Sequence, residues 1–168
     1  MFADDTPAAR VRFEGGLPVR RDLYWRAQVL WDFDGRHWTR DRVVFGHAAP
    51  RPAARSAPLR YEVSLEATDR RYLLVLDTPL SAPAGGRMLA DASVAADTPV
   101  SKLTKYSAES ALDATLDPGP DARLEPELRS LALRLPPDLN PRTRALGQRW
   151  SAESGGDDAA VVRRALDW

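Results

Sequence analysis

Hydrophobic and polar residues alternate most regularly over residues 59–67. Leu59, Tyr61, Val63, Leu65 and Ala67 face one way, and Arg60, Glu62, Ser64 and Glu66 face the other. A period of two sustained over that length predicts a half-buried antiparallel strand. The same period over residues 23–33 puts Trp25, Ala27, Val29, Trp31 and Phe33 on one face. Tyr24, Arg26, Gln28 and Asp32 fall on the other, with Leu30 as the exception. Asp34-Gly35 then predicts a tight turn, and a return strand runs from His37 towards Phe45 as the second arm of a hairpin. Trp25 and Trp31 are expected in the core, which leaves Tyr24 and Trp38 as candidates for the solvent face.

The remaining pattern is also β-like as far as residue 112. Arg10-Val11-Arg12-Phe13-Glu14 alternates and stops at Gly15-Gly16. Tyr72-Leu73-Leu74-Val75-Leu76 reads as one strand covered on both faces and ended by Asp77-Thr78-Pro79. Gly85-Gly86 marks a further turn, and residues 100–111 are extended. Residues 46–58, with Pro50, Pro52 and Pro58, read as a loop. Roughly seven short strands at this spacing predict a mainly β fold, an antiparallel sandwich-like or open-barrel domain.

The character then changes. Asp117-Pro118-Gly119-Pro120 reads as a linker-like turn. A short helix from Pro126 to Leu135 would carry Leu128, Leu131 and Leu135 on one stripe until Pro136-Pro137 stops it. Asn140-Pro141 supplies an N-cap and a first-position proline for a second helix. That helix aligns Leu146 with Trp150 and ends by Gly155-Gly156. Asp157-Asp158 caps a third, with Val162 and Leu166 on one side, and it runs to Trp168 without a stop signal, as in a shortened chain. The expected organisation is a β-rich accessory domain at 1–112, a linker with a short helix at 113–140, and further helices at 141–168.

Composition narrows the function classes. Basic and acidic residues balance at 24 each, so no global field favours nucleic acid or anionic lipid. There is no cysteine, which excludes disulfides, thiolate metal sites and a cysteine nucleophile from these residues. No apolar run approaches the ~18–20 residues that span a bilayer, and residues 1–5 show no signal-peptide pattern.

Candidate chemistry is sparse. Asp32, Asp34 and His37 resemble an oxygen-rich metal site, but Asp-x-Asp-Gly lacks the later acidic ligands of a calcium loop. Turn-forming Asp and Gly explain them better. Neither His37 nor His47 is accompanied by a Gly-x-Ser-x-Gly elbow. Glu62 and Glu66 share the polar side of a strand, where carboxylates are ordinary surface residues. No glycine-rich phosphate loop is present. No catalytic, cofactor-binding or metal residue is expected, and the candidate interaction surface is Tyr24 and Trp38.

Leu23-Tyr24-Trp25-Arg26, followed by Phe33-Asp34-Gly35-Arg36-His37-Trp38, resembles the signature of bacterial membrane-anchored transglutaminase-like proteins of the TgpA type. Ala9 to Gly15 is similar to the strand before that signature. Tyr61 to Ala67 and Tyr72 to Pro79 are similar to a later paired segment. Leu135-Pro136-Pro137, Asn140 to Leu146 and Asp157 to Val162 resemble the lead-in to the helical enzyme core. The resemblance implies amino-terminal membrane helices, a periplasmic β-rich region and a papain-like Cys-His-Asp core. With no cysteine here, the nucleophile would lie beyond Trp168, and residues 141–168 would be the first helices of that core. The expected function is a non-catalytic periplasmic accessory domain beside a thiol-enzyme core, shaping substrate access and using no cofactor. Its partners would be the core and membrane helices of the parent chain, with no nucleic acid. The competing reading is an independent peptide- or glycan-binding module built on the aromatic hairpin.

Overall fold

The computed structural model describes residues 7–40, 47–117 and 126–168. Its main sheet has three antiparallel strands, β1 (Ala9–Phe13), β6 (Leu59–Leu65) and β11 (Thr104–Ser110), in the order β1-β6-β11. Val63 is the central position, opposite Val11 on one side and Tyr106 on the other. The alternation of β6 is realised over Tyr61, Val63 and Leu65, which are buried, while Leu59 is half-buried and Ala67 lies exposed beyond the strand. Its outer face carries cross-strand ion pairs, Arg12 with Glu62 at 3.5 Å and Arg60 with Glu109 at 2.7 Å. Glu66 pairs with Arg10 at 3.2 Å, so both carboxylates singled out above serve the surface of this sheet.

Smaller antiparallel sheets pack around it. The strands β7 (Tyr72–Leu73), β10 (Val94–Ala96) and β9 (Gly86–Met88) form one. Three two-stranded pairs follow: β2 (Trp25–Arg26) with β8 (Val75–Leu76), β3 (Asp32–Phe33) with β4 (Trp38–Thr39), and β5 (Arg51–Ala53) with β12 (Thr115–Asp117). The fold is mainly β and antiparallel, with no closed barrel among the described residues. Three helices lie towards the C-terminus: α1 (Pro126–Ala132), α2 (Pro141–Glu153) and α3 (Asp158–Leu166).

One apolar cluster joins the sheets, formed by Tyr61, Val63, Leu65, Leu73, Val75, Leu76, Val94 and Tyr106 among others. Trp25 packs against it, edge-on to Tyr61 at 5.6 Å, with Phe13 also in contact. Inside the cluster the Tyr61 hydroxyl donates to Ser110 Oγ (2.9 Å), and Ser110 donates to the Leu76 carbonyl (2.6 Å). The Leu76 amide returns a bond to the Tyr61 oxygen at 2.8 Å, closing a ring of three. Among the described residues no buried side-chain nitrogen or oxygen lacks a hydrogen-bond partner. Tyr106 likewise donates to the Leu74 carbonyl at 2.8 Å. Burial pushes both phenol pKa values up.

Several sequence expectations need correction. Residues 23–33 are not one strand: β2 and β3 are separated by Ala27–Trp31 and pair with different partners. Trp25 packs on the core cluster as expected, whereas Trp31 stays outside it, half-buried, its indole Nε1 donating to Asp91 Oδ2 at 3.0 Å. Tyr72 to Leu76 divides into β7 and β8, and the Leu74 carbonyl between them serves Tyr106. Within the expected loop 46–58, β5 pairs with β12. Pro52 is tolerated because this is an outlying two-stranded pair with a free side. The return arm of the hairpin is Trp38–Thr39. Residues 41–45 of the longer arm lie outside the described residues, as do 118–120 of the linker-like turn.

The helices follow their signals more closely. Leu128 and Leu131 are buried, but α1 ends at Ala132, so Leu135 is exposed beyond it. Asp157 caps α3 through Oδ1, which accepts from the amides of Ala159 (2.9 Å) and Ala160 (3.2 Å). Asn140 precedes α2 in a left-handed conformation and its side chain makes no capping bond.

Candidate functional site: an aromatic groove beside the signature clamp

The signature residues of the β2 region are used by the fold itself. Arg26 forms a two-pronged contact with Asp77, Nε to Oδ1 at 3.1 Å and Nη2 to Oδ2 at 2.9 Å. Its third bond goes to the Asp91 carbonyl at 3.2 Å. The Asp77 amide donates to the Tyr24 carbonyl at 2.9 Å. The hydrogen bonds to Asp77 raise the Arg26 pKa above its ordinary value, against the opposing effect of burial. The Asp91 carboxylate accepts from Trp31 and Ser93 while its backbone carbonyl accepts from Arg26, so one residue ties the Arg26 and Trp31 segments to its own. A planar guanidinium is suited to this two-pronged grip, which a lysine would not reproduce.

The hairpin beyond it is built differently. Asp34 Oδ1 accepts from the backbone amides of Arg36 and His37, both at 2.7 Å. These bonds, that from His37 first, hold the Asp34 carboxyl below its usual pKa. Gly35 turns the chain at φ +102°, a conformation that L side chains rarely adopt. Phe33 and Trp38, opposite each other across the strands, stack at 4.8 Å with planes 23° apart. Asp32 pairs with Arg134 at 2.7 Å, and the His37 ring lies 3.3 Å from Asp34. The three residues of the supposed metal site are therefore bonded to neighbours as turn and tether. Among the described residues no group of three or more such side chains could hold a metal ion.

Across from the hairpin lies the turn between α1 and α2. Arg144 folds back so that Nε donates to the Leu139 carbonyl at 3.3 Å and Nη2 to the Pro136 carbonyl. This brace fixes the turn before α2, where the Asn140 side chain makes no capping bond to the first helical amides. Leu139 reaches over Gly35, and a Cβ at position 35 would stand 1.9 Å from Leu139 Cδ1. Between turn and hairpin is a groove of about 510 Å³ lined by Phe33, Trp38, Leu135, Pro136, Leu139, Asn140, Thr143 and Gln148, among others.

Of the two residues proposed from sequence as an interaction surface, both are exposed, Tyr24 at 66% and Trp38 at 54%. Trp38 lines the groove and Tyr24 does not. Phe33 had been assigned to the core face, and the contribution of the Leu135–Gln148 stretch was not foreseen. The available signal was the run Leu133, Leu135, Leu139, apolar yet broken by Pro136-Pro137 and so unable to be one buried helical stripe.

The chain is thus a mainly β antiparallel domain, its β2 strand locked in an Arg–Asp clamp, followed by short helices. The model of the TgpA N-terminal domain matches residues 2–117, and the chain belongs to that family. It is 34% identical over 139 residues to the protein-glutamine gamma-glutamyltransferase of Pseudomonas aeruginosa, covering 83% of this chain and 20% of that protein. Two crystal structures of the periplasmic domain of TgpA from Pseudomonas aeruginosa share the fold at 30% identity. The form bound to ethylmercury superposes with a TM-score of 0.81, over 95% of this chain and 55% of that one. The second gives 0.79, over 95% and 54%. The chain thus spans about a fifth of the curated relative and about half of the solved periplasmic domain. It corresponds to a periplasmic part of such a protein, and among the described residues no helix is long and apolar enough to cross a membrane.

Proposed function

We propose that this chain is the non-catalytic accessory β domain, with the first core helices, of a membrane-anchored transglutaminase-like thiol enzyme. It packs beside a Cys-His-Asp core and shapes access to it. Within it, residues 1–112 are the accessory domain, 113–140 the linker with α1, and 141–168 the start of the core; pairing of β12 with β5 ties the linker to the β domain.

The observation that carries the reading is the uncovered apolar face at the last helix. Val162 and Leu166 of α3 and Trp168 just after it stand in solvent, at 58, 81 and 88% exposure. An isolated three-turn helix is marginal in water and needs a partner for that face. The chain itself has no thiol with which to form an acyl-enzyme.

Two measurements test this. The reading frame followed past Trp168 should encode a core bearing cysteine, histidine and aspartate; a stop codon there overturns the proposal. The purified 168-residue chain should incorporate no amine donor into a glutamine substrate, while the whole periplasmic region does. Turnover by the short chain would show that it carries chemistry of its own.

A further inference from the structure

We propose that the groove between the β3–β4 hairpin and the start of α2 binds an uncharged saccharide, with the Phe33–Trp38 stack as platform and Asn140, Thr143 and Gln148 as the polar rim. The groove holds about 510 Å³, within the ~300–1,000 Å³ usual for small-molecule sites. Its aromatic wall is fixed by the stack rather than free to turn inward, yet Trp38 remains more than half exposed. A flat indole held this way suits the apolar C–H face of a sugar ring.

The rim supplies the other half of sugar recognition. The side chains of Asn140, Thr143 and Gln148 make no hydrogen bond within the described protein, so their donors and acceptors are open to ligand hydroxyls. Arg144, which also lines the groove, keeps its charge but spends Nε and Nη2 on the Leu139 and Pro136 carbonyls, and Asp32 and Arg134 neutralise each other. With that edge of the guanidinium turned to the backbone, the lining is mostly apolar and uncharged and favours an uncharged ligand. An extended peptide is disfavoured because β3 and β4 are two residues long, too short an edge for strand addition. A purely apolar ligand would desolvate three polar side chains without replacing their bonds to water.

The test is a titration of the isotope-labelled 168-residue chain with three neutral tetrasaccharides: chitotetraose, cellotetraose and maltotetraose. At least one should give saturable shifts at the Trp38 indole N–H and at the Asn140 and Gln148 side-chain amides. Trp38→Ala should weaken binding by about tenfold, a loss of roughly 1.4 kcal/mol, with Trp38→Phe recovering part of it. Tyr24→Ala, altering an exposed aromatic outside the groove, should leave affinity unchanged. Absence of shifts at millimolar concentrations of all three sugars overturns the proposal. So does unchanged affinity in Trp38→Ala, or a neutral tetrapeptide saturating the same resonances when the sugars do not. So, finally, does loss of binding once the groove is covered in the whole periplasmic region. Each of these failures leaves the accessory-domain reading intact, since that reading rests on α3 and the reading frame.

Discussion

Two parts of the molecule treat their apolar residues in opposite ways. In the β1-β6-β11 sheet, Tyr61, Val63 and Tyr106 are buried, and each buried hydroxyl has a partner. In the α2–α3 pair, Trp150 is buried but Val162, Leu166 and Trp168 are not. Its internal ties are an edge-on Trp150–Trp168 contact at 6.0 Å, Arg164 over the Trp150 ring, and the Arg164–Glu153 ion pair. Ties of this exposed kind contribute little. The central sheet closes over its own apolar side chains, and α3 does not.

The sharpest way to break this comparison is at Tyr61. Tyr61→Ala should cost about 3–5 kcal/mol, the usual range for truncating a large buried aromatic. Urea unfolding with an unchanged slope measures it, and a loss under ~1 kcal/mol would mean that the three-bond ring and the cluster around it are dispensable. Gly35→Ala probes the joint between the two parts. It should cost about 1–3 kcal/mol, because a side chain there is strained at φ +102° and must also displace Leu139. An unchanged midpoint would show that Leu139 moves aside freely and the turn re-forms.

Alkaline pH sharpens the comparison from the β side. Burial raises the Tyr61 and Tyr106 pKa values, so these groups keep their protons in the folded chain after the unfolded chain has lost them. Their contribution is fully present below the unfolded tyrosine value of about 10 and declines as pH rises above it. Tyr106→Phe should flatten that decline while costing about 1 kcal/mol at neutral pH for the lost bond to Leu74. An equally steep decline in the variant would place its origin elsewhere. On the helical side, Leu166→Ala should change stability by less than ~0.5 kcal/mol. Amides of residues 157–168 should exchange fast while Leu59–Leu65 stays protected. Equal protection in a monomer would make α3 a finished element and erase the distinction.

Legibility of the sequence divides along similar lines. The strand β6 could be read directly because one face is buried and the other paired with charge, so each residue type reports its side. Asp157 could be read because a cap bonds to amides two and three residues ahead. The break after Arg26 could not, since the partners of this stretch are far off in sequence: Asp77 grips Arg26 from 51 residues away, and Asp91 holds Trp31 at a separation of 60. Local alternation contains no information about such partners. The β5 strand was masked by Pro52. The groove was illegible for a related reason: Trp38 gave the aromatic wall, but its opposite side comes from a turn braced by Arg144 instead of the expected Asn140 cap. The family resemblance was the exception, because its signature and its later segment Tyr72 to Pro79 carry the two halves of the Arg26–Asp77 clamp.

The fit of Leu139 over Gly35 has a consequence for inheritance and for engineering. The two positions are 104 apart in the numbering, on either side of any cut made at residue 112 or 117. A graft that takes the β domain from one relative and the helices from another would separate a socket from its plug. Where the donor hairpin carries anything but glycine at that position, the incoming leucine must turn its Cδ1 aside, on top of the strain of a side chain at φ +102°. Recombination within the family should therefore succeed where both residues travel together, and chimeras would do well to carry them as a pair.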